Sequence, residues 1–305
     1  MYKRQQYRKV VYVEKNIIEI NNLSKYYGKH RGIESVSFAV EEGEGFGFIG
    51  PNGAGKSTTI RSLLALIHPT SGNAKIFGKD CIKSAHEIAK SIGYVPSEAF
   101  YYENMTVKEL LKYSAELYQK DCNEKTDELV ERLKLDIKRK ITDLSFGNKK
   151  KVGIVAALQH SPELIILDEP TNGLDPLIKE EFFKLLKEEN QNGTTILYSS
   201  HILSEVQKIC NKVAIIKKGT IINIQSINEL RKNSYKKIRL ISNNNIDKEY
   251  FTGKGIADFQ LNDKEASFIY RGKASEIISQ INELNIIDVY IEEPSLEEIF
   301  LHYYQ

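Results

Sequence analysis

Short apolar runs alternate with helix-like spacings through most of the chain. The runs FGFI (46–49), LIIL (164–167) and TTILYSS (194–200) are nearly continuous, which predicts strands that are buried on both faces. Apolar residues at helical spacing occur in LIKEEFFKLLKEEN (177–190) and ILSEVQKIC (202–210). Because strands alternate with helices, we predict an α/β fold with a mostly parallel sheet and helices around it.

The middle and the end of the chain have different patterns. Residues 92–143 are mostly helical in pattern, and an amphipathic helix is expected to begin near Thr106. After about Ile227, the runs KKIRLIS, EASFIYRG and IIDVYIEE predict strands, with the helix SEIISQINEL between the last two. We predict an N-terminal extension at 1–16, an α/β domain at 17–227 with a helical subdomain at about 92–160, and a small C-terminal α+β appendage at 228–305.

The composition is that of a globular protein. The 305 residues are 41% hydrophobic and 28% charged, enough for a packed core in one large domain and a smaller one. The 43 basic and 41 acidic side chains give a formal charge of +2, which predicts no polyanionic partner from charge alone. Cys81, Cys122 and Cys210 are scattered, which argues against a disulfide framework or a zinc site and fits a reducing cytosol.

The N-terminal stretch carries no targeting signal of the secretory type. MYKRQQYRKVVYVEKN is basic and lacks the apolar run of a signal peptide, so we expect a short exposed extension before the first strand. A translation start near Val13 stays open. No part of the sequence approaches 18 consecutive apolar residues, the length that a transmembrane helix needs.

A glycine-rich turn lies between a predicted strand and a predicted helix in GFGFIGPNGAGKSTTIRSLLALIHP (45–69). It matches G-x-x-x-x-G-K-[ST], in which backbone N–H groups and a helix N-terminus surround phosphate. Lys56 would reach the β and γ phosphates, and the Ser57 hydroxyl would bind Mg²⁺. The residues expected to contact the nucleotide here are Gly50, Asn52, Gly53, Ala54, Gly55, Lys56, Ser57 and Thr58.

Two carboxylates follow the apolar strand in LIILDEPTNGLDP (164–176). The carboxyl end of this strand would lie beside the phosphate loop, where open α/β sheets bind ligands. Asp168 is then placed to orient the Mg²⁺ shell. Glu169 should point elsewhere because side chains alternate along a strand, and it would accept a proton from the attacking water or orient it.

These residues resemble the nucleotide-binding subunits of ABC transporters, and the similarity extends from about residue 17 to residue 220. The resemblance implies a P-loop NTPase core of the ABC ATPase type, with Walker A at 50–58 and Walker B at 164–169. It also implies that Gly173-Leu174-Asp175 forms the D-loop, with Asp175 in the nucleotide site. His201 is similar to the switch histidine that acts with Glu169, and Tyr27 stands where the family stacks an aromatic ring on adenine.

LSFGN (144–148) resembles the family signature LSGGQ, with Phe146 for the first glycine and Asn148 for glutamine. The resemblance implies that Ser145 and Gly147 face the ATP held by a second subunit. The lysines of LSFGNKKK then belong to the first turn of a helix and its surroundings. The other interpretation is a nucleic-acid-binding patch, but the segment has no interleaved aromatic residues and the chain has no strong net charge.

The segment IGYVPSEAFYYENMTVKELL departs from the family pattern. Ser97 stands where the family has a glutamine that touches Mg²⁺ and the attacking water, and Glu98 follows it. Because serine is shorter, we expect a water-mediated metal contact or an approach by Glu98. The aromatic cluster Phe100, Tyr101, Tyr102 and Met105 is either core packing or a groove for a cytoplasmic helix of the membrane subunit.

The resemblance implies an ATPase with ATP and Mg²⁺ as cofactors, working as a homodimer or as a heterodimer with a related subunit. It would drive separate transmembrane permease subunits from the cytoplasmic face of the membrane, without nucleic acid. The ending EPSLEEIFLHYY resembles the drug- and peptide-export branch, and drugs, peptides or lipids are the expected cargo. The alternatives are a soluble ABC-type ATPase acting on nucleic acid or ribosomes, and a regulatory non-transport ATPase. The appendage at 228–305 would be regulatory or would assist dimerisation.

Overall fold

The computed structural model describes residues 15–98, 101–232, 235–247, 251, 255–282, 286–292 and 294. The strands are β1 (Asn16–Tyr27), β2 (His30–Glu41), β3 (Gly45–Ile49), β4 (Ser71–Ile76), β5 (Lys79–Asp80), β6 (Ile92–Val95), β7 (Leu164–Asp168), β8 (Thr195–Ser200), β9 (Lys212–Lys217), β10 (Thr220–Ser226), β11 (Tyr235–Ser242), β12 (Ile256–Asn262), β13 (Glu265–Arg271) and β14 (Ile286–Glu292). The helices are α1 (Lys56–Leu63), α2 (Ala85–Ala89), α3 (Val107–Tyr118), α4 (Asn123–Arg132), α5 (Phe146–Leu158), α6 (Pro176–Gln191), α7 (Leu203–Ile209), α8 (Ile227–Lys232) and α9 (Ala274–Ile281).

A six-stranded sheet with the order β10-β9-β3-β8-β7-β6 carries the phosphate loop. Strands β6, β7, β8, β3 and β9 pair in parallel, and β10 closes the edge as an antiparallel strand. The mostly parallel sheet predicted from the sequence is therefore confirmed. The carboxyl ends of β3, β7 and β8 meet at one edge, because neighbouring parallel strands share their direction.

The continuous apolar runs have a simple cause in the packing. Every residue of β3, β7 and β8 is buried. Along β7, Ile165 and Leu167 belong to one hydrophobic cluster, whereas Leu164 and Ile166 belong to the cluster on the other side. Since side chains alternate between the two faces, a strand covered on both sides buries every side chain. The middle of each strand is therefore apolar, and the buried polar residues lie towards the strand ends, at Asp168 in β7 and at Thr195, Ser199 and Ser200 in β8.

The first hydrophobic cluster lies between the sheet and helices α3 to α7, and the second lies between the sheet and an antiparallel sheet of order β2-β1-β4-β5. Helix α1 joins the second cluster through Ile60 and Leu63. It ends at Leu63, before the predicted end near Pro69. Ala65 has φ = +56°, a left-handed conformation that an α-helix does not accommodate.

The helical insertion follows β6. Helix α3 begins near Thr106, as the sequence predicted, and Thr106 is its N-cap. A capping box closes its first turn: Glu109 N–H donates to Thr106 Oγ1 at 3.2 Å, and Thr106 N–H donates to Glu109 Oε2 at 2.7 Å. Arg132 on α4 forms ion pairs with Glu181 and Glu188 on α6, at 2.7 and 2.5 Å.

The helices of the predicted helical subdomain begin later than residue 92, because Ile92–Val95 is a strand of the main sheet. The domain boundaries themselves stay predictions.

The C-terminal part contains an antiparallel sheet of order β12-β13-β11-β14, with α9 and a small core that includes Ile238, Phe268 and Ile277. Strand β12 was missed, because its Asp and Asn residues favour turns and a register shift at Asp258 interrupts its alternation. Several predicted features lie outside the described residues: the N-terminal extension before residue 15, Phe100 and most of the tail EPSLEEIFLHYY.

All three cysteines are buried free thiols. Within the described ranges, no helix has the length and apolar character needed to cross a bilayer.

The residues of the predicted aromatic cluster differ in their burial. Tyr101 and Met105 pack against the first cluster, whereas Tyr102 is 60% exposed and meets Tyr113 edge-on, with the ring centroids 5.8 Å apart.

Candidate nucleotide-binding site

The phosphate loop connects β3 to α1 and requires glycine at two points. A Cβ atom on Gly50 would lie 2.3 Å from Ile216 O, so no side chain fits where the loop leaves the sheet. Gly55, the N-cap of α1, has φ = +111°, which L-residues rarely adopt. The loop therefore turns sharply and directs the N-terminus of α1 into a pocket, an arrangement that favours anions.

The pocket has a volume of about 340 Å³. Its lining residues are Arg31, Gly32, Asn52, Gly53, Ala54, Gly55, Lys56, Ser57, Thr58, Ser97, Glu169 and Asn172. The structure thus brings the predicted loop residues together with Glu169 and Ser97. Arg31, Gly32 and Asn172 were missed, because they come from separate segments and match no phosphate-loop spacing. Gly50 lies at the base of the loop, where Lys56 contacts it.

Lys56 is the central cation of the site and is only 5% exposed. Its Nζ donates to Gly50 O at 2.6 Å and to Pro51 O at 3.2 Å, and it lies 3.1 Å from Glu169 Oε1. The ammonium group therefore joins the phosphate loop to the end of β7. Loop carbonyls and a carboxylate satisfy a charge that would be costly to bury alone.

Glu169 leaves the strand in an unusual direction. It has φ = +49°, while its N–H still donates to Ser199 O at 3.1 Å. Its second carboxylate oxygen, Oε2, lies 2.8 Å from His201 Nδ1. A continuous polar chain therefore crosses this edge of the sheet. It runs from Lys56 at the start of α1, through Glu169 after β7, to His201 after β8. Strand alternation predicted that Glu169 would point away from Asp168, but the left-handed backbone sets its direction.

His201 follows β8 on a loop that a buried carboxylate holds. Glu205 on α7 is 7% exposed, and its Oε2 accepts hydrogen bonds from Thr171 Oγ1 at 2.8 Å and Tyr198 OH at 3.2 Å. Ser200 Oγ, directly before His201, approaches the same oxygen at 3.4 Å. Glu205 therefore connects the segment after Glu169 with the segment that carries His201.

Asp168 has an oxygen suited to a metal ion. Ser199 Oγ donates to Asp168 Oδ1 at 3.0 Å, whereas Oδ2 is buried and finds no hydrogen-bond partner among the described residues. A buried carboxylate oxygen without a partner is unfavourable unless a cation or water completes it. Ser57 and Ser97 line the adjoining pocket, and their oxygens belong to the ligand class that Mg²⁺ prefers. The residues at this corner therefore fit a magnesium ion.

Tyr27 ends β1 at the edge of the pocket. The residue is 48% exposed, and Lys25 Nζ lies 5.3 Å from the centroid of its ring. A Cβ atom built on Gly32 would lie 2.9 Å from Tyr27 Cε2 and 3.2 Å from Thr58 Cγ2. Tyr27 therefore stands beside Gly32 and Thr58, which line the pocket, but it is not itself among the described lining residues, and Lys25 lies over its ring.

The signature-like segment starts α5 and touches the D-loop-like segment. Ser145 is the N-cap, and its Oγ accepts from Asn148 N–H at 3.4 Å. A Cβ on Gly147 would lie 2.4 Å from Gly173 O, and one on Gly173 would lie 2.3 Å from the ring of Phe146, which is 55% exposed. The described residues that line the pocket of this chain do not include Ser145, Gly147 or Asp175. Asp175 caps α6, accepting from Ile178 N–H at 3.0 Å.

The lysines after Gly147 are not an exposed basic patch, because Lys150 is 4% and Lys151 is 9% exposed. Lys150 Nζ donates to Pro96 O at 2.6 Å and to Ser97 O at 3.0 Å. Burial lowers the pKa of Lys150 to about 8, against the opposite effect of the carboxylates of Asp168, Glu169 and Glu98. The sequence placed Lys150 in a helix but did not predict its contact with the Ser97 segment.

The fold and the phosphate loop define a P-loop NTPase of the ABC ATPase type. The sequence profile of the ABC transporter family matches residues 33–172. Among curated proteins, the bacitracin transport ATP-binding protein BcrA of Bacillus licheniformis is 34% identical over 298 residues, covering 93% of this chain and 96% of the relative. The linearmycin resistance ATP-binding protein LnrL of Bacillus subtilis is 30% identical over 303 residues, covering 94% and 97%.

Solved structures give the same result. An ATP-binding subunit of an ABC transporter is 31% identical with a TM-score of 0.67, covering 71% of this chain and 92% of that one. A nucleotide-free ATP-binding cassette is 27% identical with a TM-score of 0.60, covering 71% and 94%. The chain belongs to the ABC transporter family as an ATP-binding subunit. A soluble ATPase acting on nucleic acid or ribosomes is not favoured by these relatives.

Proposed function

We propose that the chain hydrolyses ATP with Mg²⁺ as half of a dimer and thereby drives a separate membrane permease. The observation that carries this proposal is the polar chain from Lys56 through Glu169 to His201 at the mouth of the phosphate loop. It joins a phosphate-binding cation, a carboxylate base and an orienting imidazole, the set of groups that γ-phosphoryl transfer to water needs.

In the proposed mechanism, Lys56 exchanges its contacts with loop carbonyls for the β and γ phosphates. The loop N–H groups and the N-terminus of α1 hold the remaining phosphate oxygens. Release of Lys56 leaves one oxygen of Glu169 open to the attacking water, which Glu169 orients or deprotonates. His201 holds the other oxygen, 2.8 Å from its Nδ1, and so fixes the direction of the carboxylate.

Ser57, Asp168 and Ser97 would hold the magnesium ion. When bound, Mg²⁺ neutralises charge that develops on the β and γ oxygens. The buried Oδ2 of Asp168, which has no hydrogen-bond partner in the part of the chain that the structure describes, supports this placement. Ser199 fixes the other oxygen of Asp168, which limits the carboxylate to one orientation.

A second subunit would complete the site. Ser145 and Gly147 begin a helix, and their N-terminal position suits the γ phosphate of a nucleotide held by a partner. Asp175 in the neighbouring D-loop-like segment would face the same nucleotide. The exposed ring of Phe146 next to these groups supports a surface that another subunit covers. The partner is a second copy of this chain or a related ATPase subunit.

The functions for which the relatives are named support an export role. Those proteins are named for bacitracin transport and linearmycin resistance, and they cover nearly the whole chain. We therefore propose export of drug-like molecules, peptides or lipids, with the chain attached to the cytoplasmic face of the membrane through its permease. Nucleic acid is not a proposed partner, because two of the three lysines of α5, Lys150 and Lys151, are buried.

Affinity purification from the native host tests the coupling to a permease. The tagged full-length chain should be recovered from detergent-solubilised membranes together with a polytopic membrane protein, whose addition in vesicles stimulates ATP hydrolysis. A tagged chain with Lys56 replaced by alanine should bind the same protein without hydrolysing ATP. Recovery with ribosomes or nucleic acid, and with no membrane protein, would contradict the proposal.

Tyr27→Ala should raise the KM for ATP about tenfold and change kcat little, because base stacking on an aromatic side chain contributes roughly 1–3 kcal/mol per base. Steady-state hydrolysis over a range of ATP concentrations measures both parameters. Tyr27→Phe keeps the ring and should behave as the unsubstituted protein. Equal KM values for the alanine and phenylalanine proteins would exclude the stacking role.

Ser97→Gln should lower the Mg²⁺ concentration for half-maximal hydrolysis by about two- to tenfold, because a direct contact would replace an ordered water that costs up to about 2 kcal/mol to immobilise. Magnesium titrations of the ATPase rate measure this change. Ser275→Gln, at an exposed position of α9, is the control and should change nothing. If Ser97→Gln leaves the rate, the magnesium dependence and the stimulation by the permease unchanged, Ser97 has no part in the metal site.

A further inference from the structure

A buried lysine holds the main chain beside the nucleotide pocket. Lys150 lies on α5 at 4% exposure, and its described hydrogen bonds go to the carbonyls of Pro96 and Ser97, at 2.6 and 3.0 Å. Burying an ammonium group is costly, whereas an apolar side chain of the same length would fill this space without that cost. Packing alone therefore does not explain a lysine here.

The carbonyls that Lys150 holds belong to the segment that enters the pocket. Ser97 lines the pocket together with Ser57 and Glu169. The segment follows β6, so it is fixed by the sheet on one side and by Lys150 at the pocket. Two hydrogen bonds from one ammonium group orient two successive peptide units and thereby set the direction of the Ser97 side chain.

The other end of this connection is the start of α5. Ser145 caps that helix five residues before Lys150, about 7.5 Å along the axis at 1.5 Å per residue. A helix of this length transmits a displacement as a rigid body. Movement of the signature-like segment would therefore move the ammonium group that holds Ser97.

We propose that Lys150 is a positioning residue that couples the Ser97 corner of one subunit's nucleotide site to the α5 start that reaches its partner's nucleotide. The inference rests on the proposed function and deepens it. Closure of the dimer on ATP presses the start of α5, and Lys150 carries that displacement to the Ser97 corner. This places Ser97 against the attacking water and the metal only when both nucleotides are bound.

The first test is the hydrolysis rate of the full-length Lys150→Met protein, which keeps the side-chain length and loses the donors. We expect kcat to fall about 10- to 100-fold, the effect of a displacement near 1 Å at a reacting centre. The KM for ATP and the affinity for a fluorescent ATP analogue should stay within twofold, because the phosphate loop is untouched. Lys150→Arg retains donors for both carbonyls and should recover most of kcat.

Lys149→Met is the matched control. Lys149 is the adjacent lysine of α5 and is only partly buried, so its loss should leave both parameters near those of the unsubstituted protein. If Lys150→Met does not fold, Lys150→Gln replaces it with the same expected loss, since the shorter amide reaches at most one carbonyl. A kcat for the folded variant within twofold of the unsubstituted value overturns the proposal.

A double-mutant cycle distinguishes coupling from a general loss of structure. Ser97→Ala and Lys150→Met should lower kcat by factors that do not multiply in the double variant, because both act through the same corner. Multiplying factors would show that Lys150 does not act through Ser97. If the unsubstituted protein does not bind or does not hydrolyse ATP, the proposed function is wrong. Failure of the Lys150 proposal and failure of the proposed function therefore give different results.

Discussion

Lys56→Ala should reduce the rate of ATP hydrolysis by about 10²–10³-fold, the usual effect of removing one preorganised group that stabilises transition-state charge. In the structure, the Lys56 ammonium lies where the loop carbonyls of Gly50 and Pro51 and the carboxylate of Glu169 converge. The γ phosphate would enter this position. Phosphate release at saturating ATP measures kcat, and binding of a fluorescent ATP analogue measures the accompanying loss of affinity.

The Lys56 substitution has a second consequence. The Glu169 carboxylate loses its ion pair with Lys56 and keeps its contact with His201. The control is Lys79→Ala, because Lys79 is an exposed lysine whose described ion pair is with Glu87, away from the pocket-lining residues. An unchanged hydrolysis rate for Lys56→Ala, at equal ATP affinity, would contradict the assignment of 50–58 as the phosphate loop.

Glu169→Gln should lower hydrolysis by about 10²–10⁴-fold, the typical contribution of a general base. Glutamine has nearly the same shape and can still meet Lys56 and His201, so ATP binding should stay intact. The reaction then stops after closure and before hydrolysis. Equilibrium binding and single-turnover phosphate release separate these two steps.

The matched control for the base is Glu205→Gln. Glu205 is also a buried carboxylate, but it contacts Thr171, Tyr198 and Ser200 rather than the pocket. We expect its loss to change hydrolysis much less than Glu169→Gln does, since only the support of the loops is weakened. Equal losses for the two variants would mean that Glu169 acts structurally and not on the attacking water.

The phosphate loop and its strands were predictable because local physical requirements fix the sequence there. Strands β3, β7 and β8 are covered on both sides and leave continuous apolar runs. The turn after β3 needs glycine at Gly50, where a Cβ would meet Ile216 O at 2.3 Å. Such constraints act on neighbouring residues, so the spacing of the sequence records them.

Contacts between distant segments were not predictable. Arg31 and Asn172 line the pocket only because β2 and the segment after β7 approach the same edge. Lys150 meets Pro96 and Ser97 across more than 50 positions of sequence. The direction of Glu169 depends on one left-handed residue, which no periodicity of the sequence records.

The central claim is that two chains close on ATP, each supplying its phosphate loop to one nucleotide and its α5 start to the other. Light scattering after size-exclusion chromatography of Glu169→Gln protein, with ATP and Mg²⁺, tests it most directly. We expect a mass near twice that of the 34.9-kDa chain, which returns to the monomer value with ADP or when Ser145 is also replaced by arginine. A nucleotide-loaded Glu169→Gln protein that remains monomeric would contradict the claim.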